Sequence, residues 1–277
     1  DYKVTGVQTC ALPILFTRGI CLMREIVSGI IDPIQRPEGD QPQNWQHEKP
    51  AILQHLENLK QVIKLAANAP PPEKCQGTGL VMVGGGKFQE HLVIACRMLR
   101  ETGSMMPIQI WHRGEHEPLD KRLFQGISNI EIIDSVAHSV RHAPARILRG
   151  WEQKLQALVH CGFEKVLYLD ADAYCVEDPA PLMTMLDQHP FLFWSDLAGN
   201  YNTVRWPSVW PDGAGTVPAI QGGQLAFDRR KIWKVLILAH WMNQHSDFYY
   251  SHMFGDQDTD RKSTRLNSSH LVISYAV

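Results

Sequence analysis

The sequence predicts an α/β fold built on one mostly parallel sheet. Short apolar runs alternate along the chain with segments of helical periodicity. The first run ends at a glycine-rich turn, Gly84-Gly85-Gly86, and the fourth ends directly at two carboxylates, Asp170 and Asp172. Such residues at strand ends are typical of α/β proteins, which bind ligands at the carboxyl ends of their strands.

The composition is that of an ordinary globular protein. The 277 residues carry a formal net charge of -2, and 44% of them are hydrophobic. This near-neutral charge gives no reason to expect nucleic acid or an anionic membrane as a partner. No apolar run reaches the ~18 residues that a membrane span needs. The six cysteines lack zinc or disulfide spacing, and we expect buried free thiols.

The two ends of the chain differ from the part between them. Residues 1–14 and 261–277 resemble translated sequencing-adapter sequence, and we exclude both from the fold. Residues 15–72 are assigned to an N-terminal arm and helix, with a polar, proline-rich linker at 32–50. Residues 73–260 are assigned to the α/β domain, which we expect to be truncated at its C-terminal end.

Helices and strands follow one another in a regular order. A helix over about 51–67 is predicted from its apolar spacing, and three consecutive prolines end it. A helix over 144–161 is predicted to place Trp151 and Leu155 on its inward face. Two further helices are predicted over 88–102 and 229–244. The six strands are predicted over 80–83, 107–111, 130–133, 166–169, 191–194 and 225–227.

Asp170 and Asp172 are the candidate metal ligands. Residues i and i+2 of an extended chain point the same way, so both carboxylates can face one ion. Hard oxygen ligands suit Mg²⁺ or Mn²⁺, which keep positions open for substrate phosphates. Two alternatives remain open. The aspartates can cap a turn after a solvated strand end, or belong to a haloacid-dehalogenase-type phosphatase, whose motif wants Thr or Val where Tyr174 stands.

Five motifs in fixed order resemble those of a known family: GWEQKLQAL, FEKVLYLDADAYCVEDPAPLM, FLFWSDL, QGGQLAFDRRKIW and GDQDT. Across roughly residues 78–259 the chain is similar to the fungal-type α-mannosyltransferases and, more distantly, to the glycogenin-like retaining transferases. The resemblance implies the GT-A fold, a Rossmann-like α/β domain that binds a nucleotide-diphospho-sugar. It also implies that Asp170 and Asp172 hold a divalent metal, usually Mn²⁺ and otherwise Mg²⁺, on the donor diphosphate.

The same resemblance implies an enzyme of the hexosyltransferase class. Such an enzyme moves a hexose, with mannose favoured, from a nucleotide sugar to a glycan acceptor with retention of configuration. GDP-mannose is the favoured donor, and a UDP-sugar is the alternative. A degenerate GT-A domain that binds nucleotide or glycan without turnover is the second hypothesis, which the expected truncation favours.

Donor contacts are expected at the first strand and at the helix before the aspartates. Val83, Gly84 and Gly85 close the first strand, where the nucleotide docks in the GT-A fold and where exposed glycine amides favour anions. A plain strand-to-helix turn is the alternative. The resemblance suggests a donor-phosphate contact for Lys154, and a solvated lysine is its alternative.

A further donor contact is expected at Gln221 and Gly222, which precede the sixth strand. The corresponding turn of related transferases contacts the donor sugar or the acceptor, and a simple turn is the alternative.

Three acidic residues are the catalytic candidates. Asp196 ends the fifth strand and would face the same crevice, unless it caps the following loop. Asp256 and Asp258 belong to the late acidic motif, where they could orient an acceptor hydroxyl or lie beside the donor sugar, unless they cap a helix. The sequence names no nucleophile. No metal-like spacing joins the histidines, which are interpreted as surface or core residues.

The expected location follows from the missing span and signal. We place the protein in the cytoplasm, with association to a membrane face through partners left open. A lumenal site such as the Golgi is expected if the protein is eukaryotic.

Overall fold

A six-stranded sheet forms the centre of the protein. The structure is a computed structural model that describes residues 45–142, 150–195 and 220–245. The strands in these ranges are β1 (Thr78–Val83), β2 (Ile108–His112), β3 (Ile130–Asp134), β4 (Lys165–Asp170), β5 (Phe191–Ser195) and β6 (Ile220–Asp228).

The strands lie in the order β3-β2-β1-β4-β6-β5. β1 pairs in parallel with β2 and β4, and β2 pairs in parallel with β3. β6 runs antiparallel to both β4 and β5. The predicted mostly parallel α/β sheet is therefore confirmed.

Helices cover both faces of the sheet. Alternate residues of β1 point to opposite faces, because side chains alternate along a strand. Leu80 packs with Leu92 on one face, and Val81 packs with Leu155 on the other. The helices in the described ranges are α1 (Trp45–Asn68), α2 (Gln89–Glu101), α3 (Ser135–His142), α4 (Glu152–His160), α5 (Ala180–Thr184) and α6 (Trp233–Gln244).

Two helix boundaries differ from the predictions. α1 begins at Trp45, so the last part of the predicted linker at 32–50 is helical, including Pro50. Within the described part of the helix predicted over 144–161, α4 begins only at Glu152, after Gly150, whose φ of 110° is not helical. Trp151 is 49% exposed, so its predicted inward position was wrong.

Aspartate side chains set two other helix starts. Asp134 accepts hydrogen bonds from the backbone N–H groups of Val136 and Ala137, at 2.9 and 3.1 Å, and α3 follows. No helix was predicted there. Asp228 accepts from the N–H groups of Arg230 and Lys231 in a turn, so α6 begins at Trp233 and not at residue 229.

β6 is longer than predicted. It begins at Ile220, so Gln221 and Gly222 lie within a paired strand and not in a turn before it. The prediction missed this because glycine disfavours strands and marks turns, whereas pairing with β4 and β5 overrides that preference here.

Several predicted features fall outside the described residues. These are the arm before residue 45, the helix segment over 144–149, Asp196 and the loop after it, and the motif with Asp256 and Asp258. No helix in the described ranges has the length and apolar character of a membrane span.

Four cysteines lie in the described ranges, and all four are buried free thiols, as predicted. Burial raises the pKa of Cys96 to about 12. This thiol is therefore neutral and behaves as a small apolar residue of the core.

Three histidines from three helices form a chain of ring contacts. The ring centroid of His138 in α3 lies 5.0 Å from that of Trp111 and 5.2 Å from that of His160 in α4. The His160 ring is 6.0 Å from that of His240 in α6. Burial lowers the pKa of His240 from 6.5 to about 4, so its ring is neutral where these helices pack.

Truncation of Leu92 to alanine should weaken the fold markedly. Leu92 is fully buried in α2 and packs beside Gly84 at the end of β1. We expect a loss of about 2–5 kcal/mol in the free energy of unfolding, measured by urea denaturation. Ile94→Ala in the same helix is the control, because Ile94 is 52% exposed and its loss should cost less than about 1 kcal/mol. Equal losses in both variants would contradict the assigned inward face.

The stability of the protein should fall as His240 is forced to take up a proton. Its folded pKa of about 4 lies below the ordinary value of 6.5, so the unfolded chain binds the proton first as the pH falls. The neutral His240 ring therefore contributes to the free energy of unfolding. This contribution, up to roughly 3 kcal/mol, is fully present above pH 6.5 and is lost as the pH falls towards 4. Urea unfolding at several pH values between 7 and 4 should show that the free energy of unfolding falls less steeply with pH in His240→Gln than in the wild type.

The matched control for this pH series is His91→Gln, which changes an exposed histidine of α2. We expect it to keep the wild-type profile. Parallel profiles for the wild type and His240→Gln would contradict the assignment.

Candidate functional site

The first and fourth strands bring two predicted motifs together. β1 and β4 are adjacent and parallel, and Val83 pairs in register with Asp170. Gly84 follows in the space beside Ala171, where a Cβ added to Gly84 would lie 3.3 Å from the Cβ of Ala171. The glycine turn and the Asp170-Ala171-Asp172 segment therefore lie at the same edge of the sheet.

The two aspartates do not continue an extended strand. Asp170 is the last residue of β4, and the chain turns there because the N–H of Ala173 donates to its carbonyl oxygen at 3.0 Å. Asp170 is partly buried, whereas Asp172 is exposed. The i, i+2 argument for a shared direction therefore does not apply to this pair. A shared cation depends instead on the turn, whose exposed Asp172 side chain has room to adapt.

The chemistry of this segment fits a hard divalent cation. Carboxylate oxygens are preferred ligands of Mg²⁺ and Mn²⁺. The described residues contain no group of three or more His, Cys, Asp or Glu side chains placed to hold a metal ion. Cys175 is buried close by. Its pKa is raised to about 11, mainly by burial and secondly by the negative charge of Asp178.

Tyr168 and Gly223 enclose the Asp170 carboxylate. The Tyr168 hydroxyl donates a hydrogen bond to Oδ1 of Asp170 at 2.6 Å. On the side of β6, a Cβ added to Gly223 would lie 2.7 Å from Oδ2 of Asp170. Only a residue without a side chain therefore allows β6 to approach this carboxylate.

Lys154 is a buried residue of this site. Its side chain reaches across from α4, and Nζ donates to the carbonyl oxygen of Gly222 at 2.7 Å. Nζ also lies 4.9 Å from the centroid of the Tyr168 ring, on its face. The alternative of a solvated lysine was wrong. The side chain joins α4, β4 and β6 at the point where Asp170 lies.

The glycine turn is packed against protein groups. The N–H of Gly84 donates to the carbonyl oxygen of Trp111 at 2.9 Å, and that of Gly86 donates to Pro118 at 2.7 Å. A Cβ on Gly85 would lie 2.4 Å from the carbonyl oxygen of Glu117. The predicted exposed amides are therefore not available at Gly84 and Gly86. The close approach that glycine permits is used here by the segment after β2.

Tyr168 was missed as a site residue. Its signal was present in the sequence, because Tyr168 and Asp170 are two residues apart on one strand and share a face. Of the other candidates, Gln221 lies in β6 beside Gly222 and is partly buried. Asp196, Asp256 and Asp258 lie outside the described residues and stay predictions.

Comparisons with known proteins agree with the resemblance. Residues 77–200 match the family described as "Mannosyltransferase putative". The chain is 24% identical to the alpha-1,2-mannosyltransferase MNN24 of Candida albicans, over 66% of this chain and 32% of that protein. It is 25% identical to the alpha-1,2-mannosyltransferase MNN2 of Saccharomyces cerevisiae, over 53% of this chain and 23% of that protein. The chain thus spans about a third or less of the curated relatives it matches.

The fold is shared with a solved galactosyltransferase. The crystal structure of LgtC in complex with donor and acceptor sugar analogues aligns with a TM-score of 0.50 and 17% sequence identity, over 68% of this chain and 70% of that chain. The predicted GT-A fold and the resemblance to fungal-type α-mannosyltransferases are confirmed.

A methyl group at Gly223 should disturb the Asp170 carboxylate. Gly223→Ala places a Cβ 2.7 Å from Oδ2, so β6 or the carboxylate must shift. We expect a loss of about 1–3 kcal/mol in the free energy of unfolding, measured by urea denaturation. Gly162→Ala is the matched control, because its Cβ would lie 3.4 Å from Nε2 of the Gln109 side chain. Both changes restrict the unfolded chain equally. A Gly223→Ala variant as stable as Gly162→Ala would contradict the close approach.

Proposed function

We propose that this chain, as a relative of the fungal-type α-mannosyltransferases, is a metal-dependent glycosyltransferase. It moves a hexose, with mannose favoured, from a nucleotide-sugar donor to a glycan acceptor. GDP-mannose is the favoured donor, and a UDP-sugar is the alternative. Retention of configuration follows from the resemblance. One observation supports the proposal most strongly: the glycine turn, the two aspartates, Lys154 and the Gly222-Gly223 pair meet at one edge of the sheet.

The reaction leaves a nucleoside diphosphate, and its growing negative charge needs compensation. A divalent cation, when bound, supplies that compensation by contact with the diphosphate oxygens. Asp170 and Asp172 would hold this cation, Mn²⁺ or Mg²⁺, through their carboxylate oxygens. The partly buried Asp170 is fixed by Tyr168, and the exposed Asp172 lies on the solvent side of the turn.

The neighbouring residues would bind and orient the donor. The buried Lys154 places a positive charge beside Gly222 of β6, and this charge favours an anionic ligand at the site. Val83, Gly84 and Gly85 would form a wall against the nucleotide, and Gln221 with Gly222 would contact the sugar from β6.

The proposed catalytic acids are Asp196, Asp256 and Asp258, which would lie beside the sugar and the acceptor. We expect a glycan acceptor as the partner. The expected location is the cytoplasm, or the Golgi lumen if the protein is eukaryotic.

Thermal unfolding with donor products tests binding. The full chain is heated with GDP or UDP, in the presence of Mn²⁺ or of a chelator. We expect a rise in Tm that needs both nucleotide and metal, equivalent to about 2.7 kcal/mol at a ligand concentration a hundredfold above Kd. Release of GDP from GDP-mannose, with and without a mannose-terminated glycan, then tests turnover. Stabilisation without turnover would favour the degenerate-domain hypothesis, and no response to any nucleotide would contradict the proposal.

Loss of one ligand charge should separate catalysis from stability. Asp172→Asn keeps the size of an exposed side chain, so the free energy of unfolding without metal should change by less than about 0.5 kcal/mol. Donor turnover should fall at least about a hundredfold, because charge compensation in the transition state weakens. The control is Glu177→Gln, which removes an exposed carboxylate further along the same segment. Equal turnover in both variants would argue against Asp172 as a ligand.

A further inference from the structure

We propose that Tyr168 is a positioning residue that fixes the Asp170 carboxylate in one orientation, with Oδ1 held by its hydroxyl and Oδ2 turned towards Gly223. This inference deepens the proposed function and rests on it. It assigns a role to a side chain that lies in the core and that would not itself touch the donor or the cation.

The geometry of β4 makes the contact a consequence of sequence spacing. Tyr168 and Asp170 lie two residues apart on an extended strand, so both side chains project from the same face. Their oxygen atoms are 2.6 Å apart, a length typical of a hydroxyl that donates to an ionised carboxylate. A bond of this kind selects one carboxylate orientation out of several.

The tyrosine ring is itself held in place. Only 2% of Tyr168 is exposed, and its ring belongs to the apolar cluster that contains Val81, Leu155 and Leu225. Packing of this density restricts the rotamers of the ring, and with them the position of the hydroxyl. The hydroxyl therefore acts as a fixed point for Asp170.

Lys154 ties the ring and the opposite strand into the same arrangement. Its ammonium group lies over the face of the Tyr168 ring, and it donates to the carbonyl oxygen of Gly222. The adjacent Gly223 leaves room for the second carboxylate oxygen, because a Cβ there would lie 2.7 Å from Oδ2. One oxygen of Asp170 is thus held by the Tyr168 hydroxyl, and the other lies where only a glycine of β6 leaves space for it; outer groups of this kind commonly orient metal ligands.

A purely structural role for Tyr168 makes a different prediction. If only the ring mattered, Phe would replace Tyr without effect on the site, since the two rings have the same shape. The hydroxyl alone separates the two roles, so Tyr168→Phe is the informative change. Tyr174→Phe is its matched control, because the same atom is removed from a tyrosine that is 53% exposed in the segment after Asp172.

The contact is tested first without any metal. The chain has seven tyrosines, which can be labelled with ¹³C at the ζ carbon and observed by NMR. The signal of Tyr168 is the one that disappears in Tyr168→Phe. We expect Asp170→Ala to shift that signal and to leave the signal of Tyr174 in place. An unchanged Tyr168 signal in folded Asp170→Ala would overturn the inference.

The consequence is then tested with Mn²⁺, titrated into the full chain and followed by electron paramagnetic resonance. We expect Tyr168→Phe to weaken Mn²⁺ binding about tenfold or more, as loss of a ligand-orienting partner commonly does, and Tyr174→Phe to bind like the wild type. Circular dichroism and Tm without metal check that Tyr168→Phe is folded. Equal affinity of Tyr168→Phe and the wild type would overturn the inference. A wild type that binds no Mn²⁺ while the Tyr168 signal still responds to Asp170→Ala would reject the proposed function and keep the positioning contact.

Discussion

Two strands that run in opposite directions meet at Asp170, and that meeting requires a residue without a side chain on the second strand. Gly223 meets this requirement, since a Cβ there would approach Oδ2 to 2.7 Å. Lys154 of α4 donates to the carbonyl of the neighbouring Gly222, so α4, β4 and β6 all meet at this point. The place of the first aspartate is therefore a property of the sheet as a whole and not of its own loop.

The two aspartates of the motif differ in freedom. Asp170 is partly buried and hydrogen-bonded, whereas Asp172 is exposed after a turn. Under the proposed function, a fixed carboxylate beside an adaptable one would suit a site that accepts a cation together with a phosphate-bearing donor and later releases both. The buried ammonium of Lys154 would be costly alone, but the Gly222 carbonyl and the face of the Tyr168 ring compensate for its lost hydration.

Sequence patterns predicted most of the sheet, because its central strands are buried on both faces and appear as continuous apolar runs. Val166 to Leu169 of β4 are four consecutive buried residues of apolar character, and such a short run between turn signals is typical of a buried strand. The first half of β6 escaped prediction because Gln221-Gly222-Gly223 has the composition of a turn, and only pairing with β4 makes it a strand. The inward position of Trp151 failed because Trp151 lies between Gly150, which has a non-helical φ, and the first residue of α4, so the helical periodicity that suggested it does not apply there.

The site was predictable in kind but not in detail. The aspartates, the glycine turn and Lys154 were all singled out, whereas the burial of Lys154 depends on β6, which local sequence cannot reveal. Tyr168 was accessible to the same spacing rule that was applied to Asp170 and Asp172, and the rule holds for the pair that stays on the strand.

In the glycine turn after β1, backbone N–H groups are already hydrogen-bonded to other parts of the protein without any ligand. Gly84 donates to the carbonyl group of Trp111 in β2, Gly86 donates to that of Pro118 after β2, and Gly85 lies against Glu117. A surface that is set in advance does not have to be ordered by what binds to it, so little conformational entropy is lost on association. If the proposed donor binds at this turn, shape would decide selectivity there, because a nucleotide that does not fit could be accommodated only by breaking these backbone hydrogen bonds.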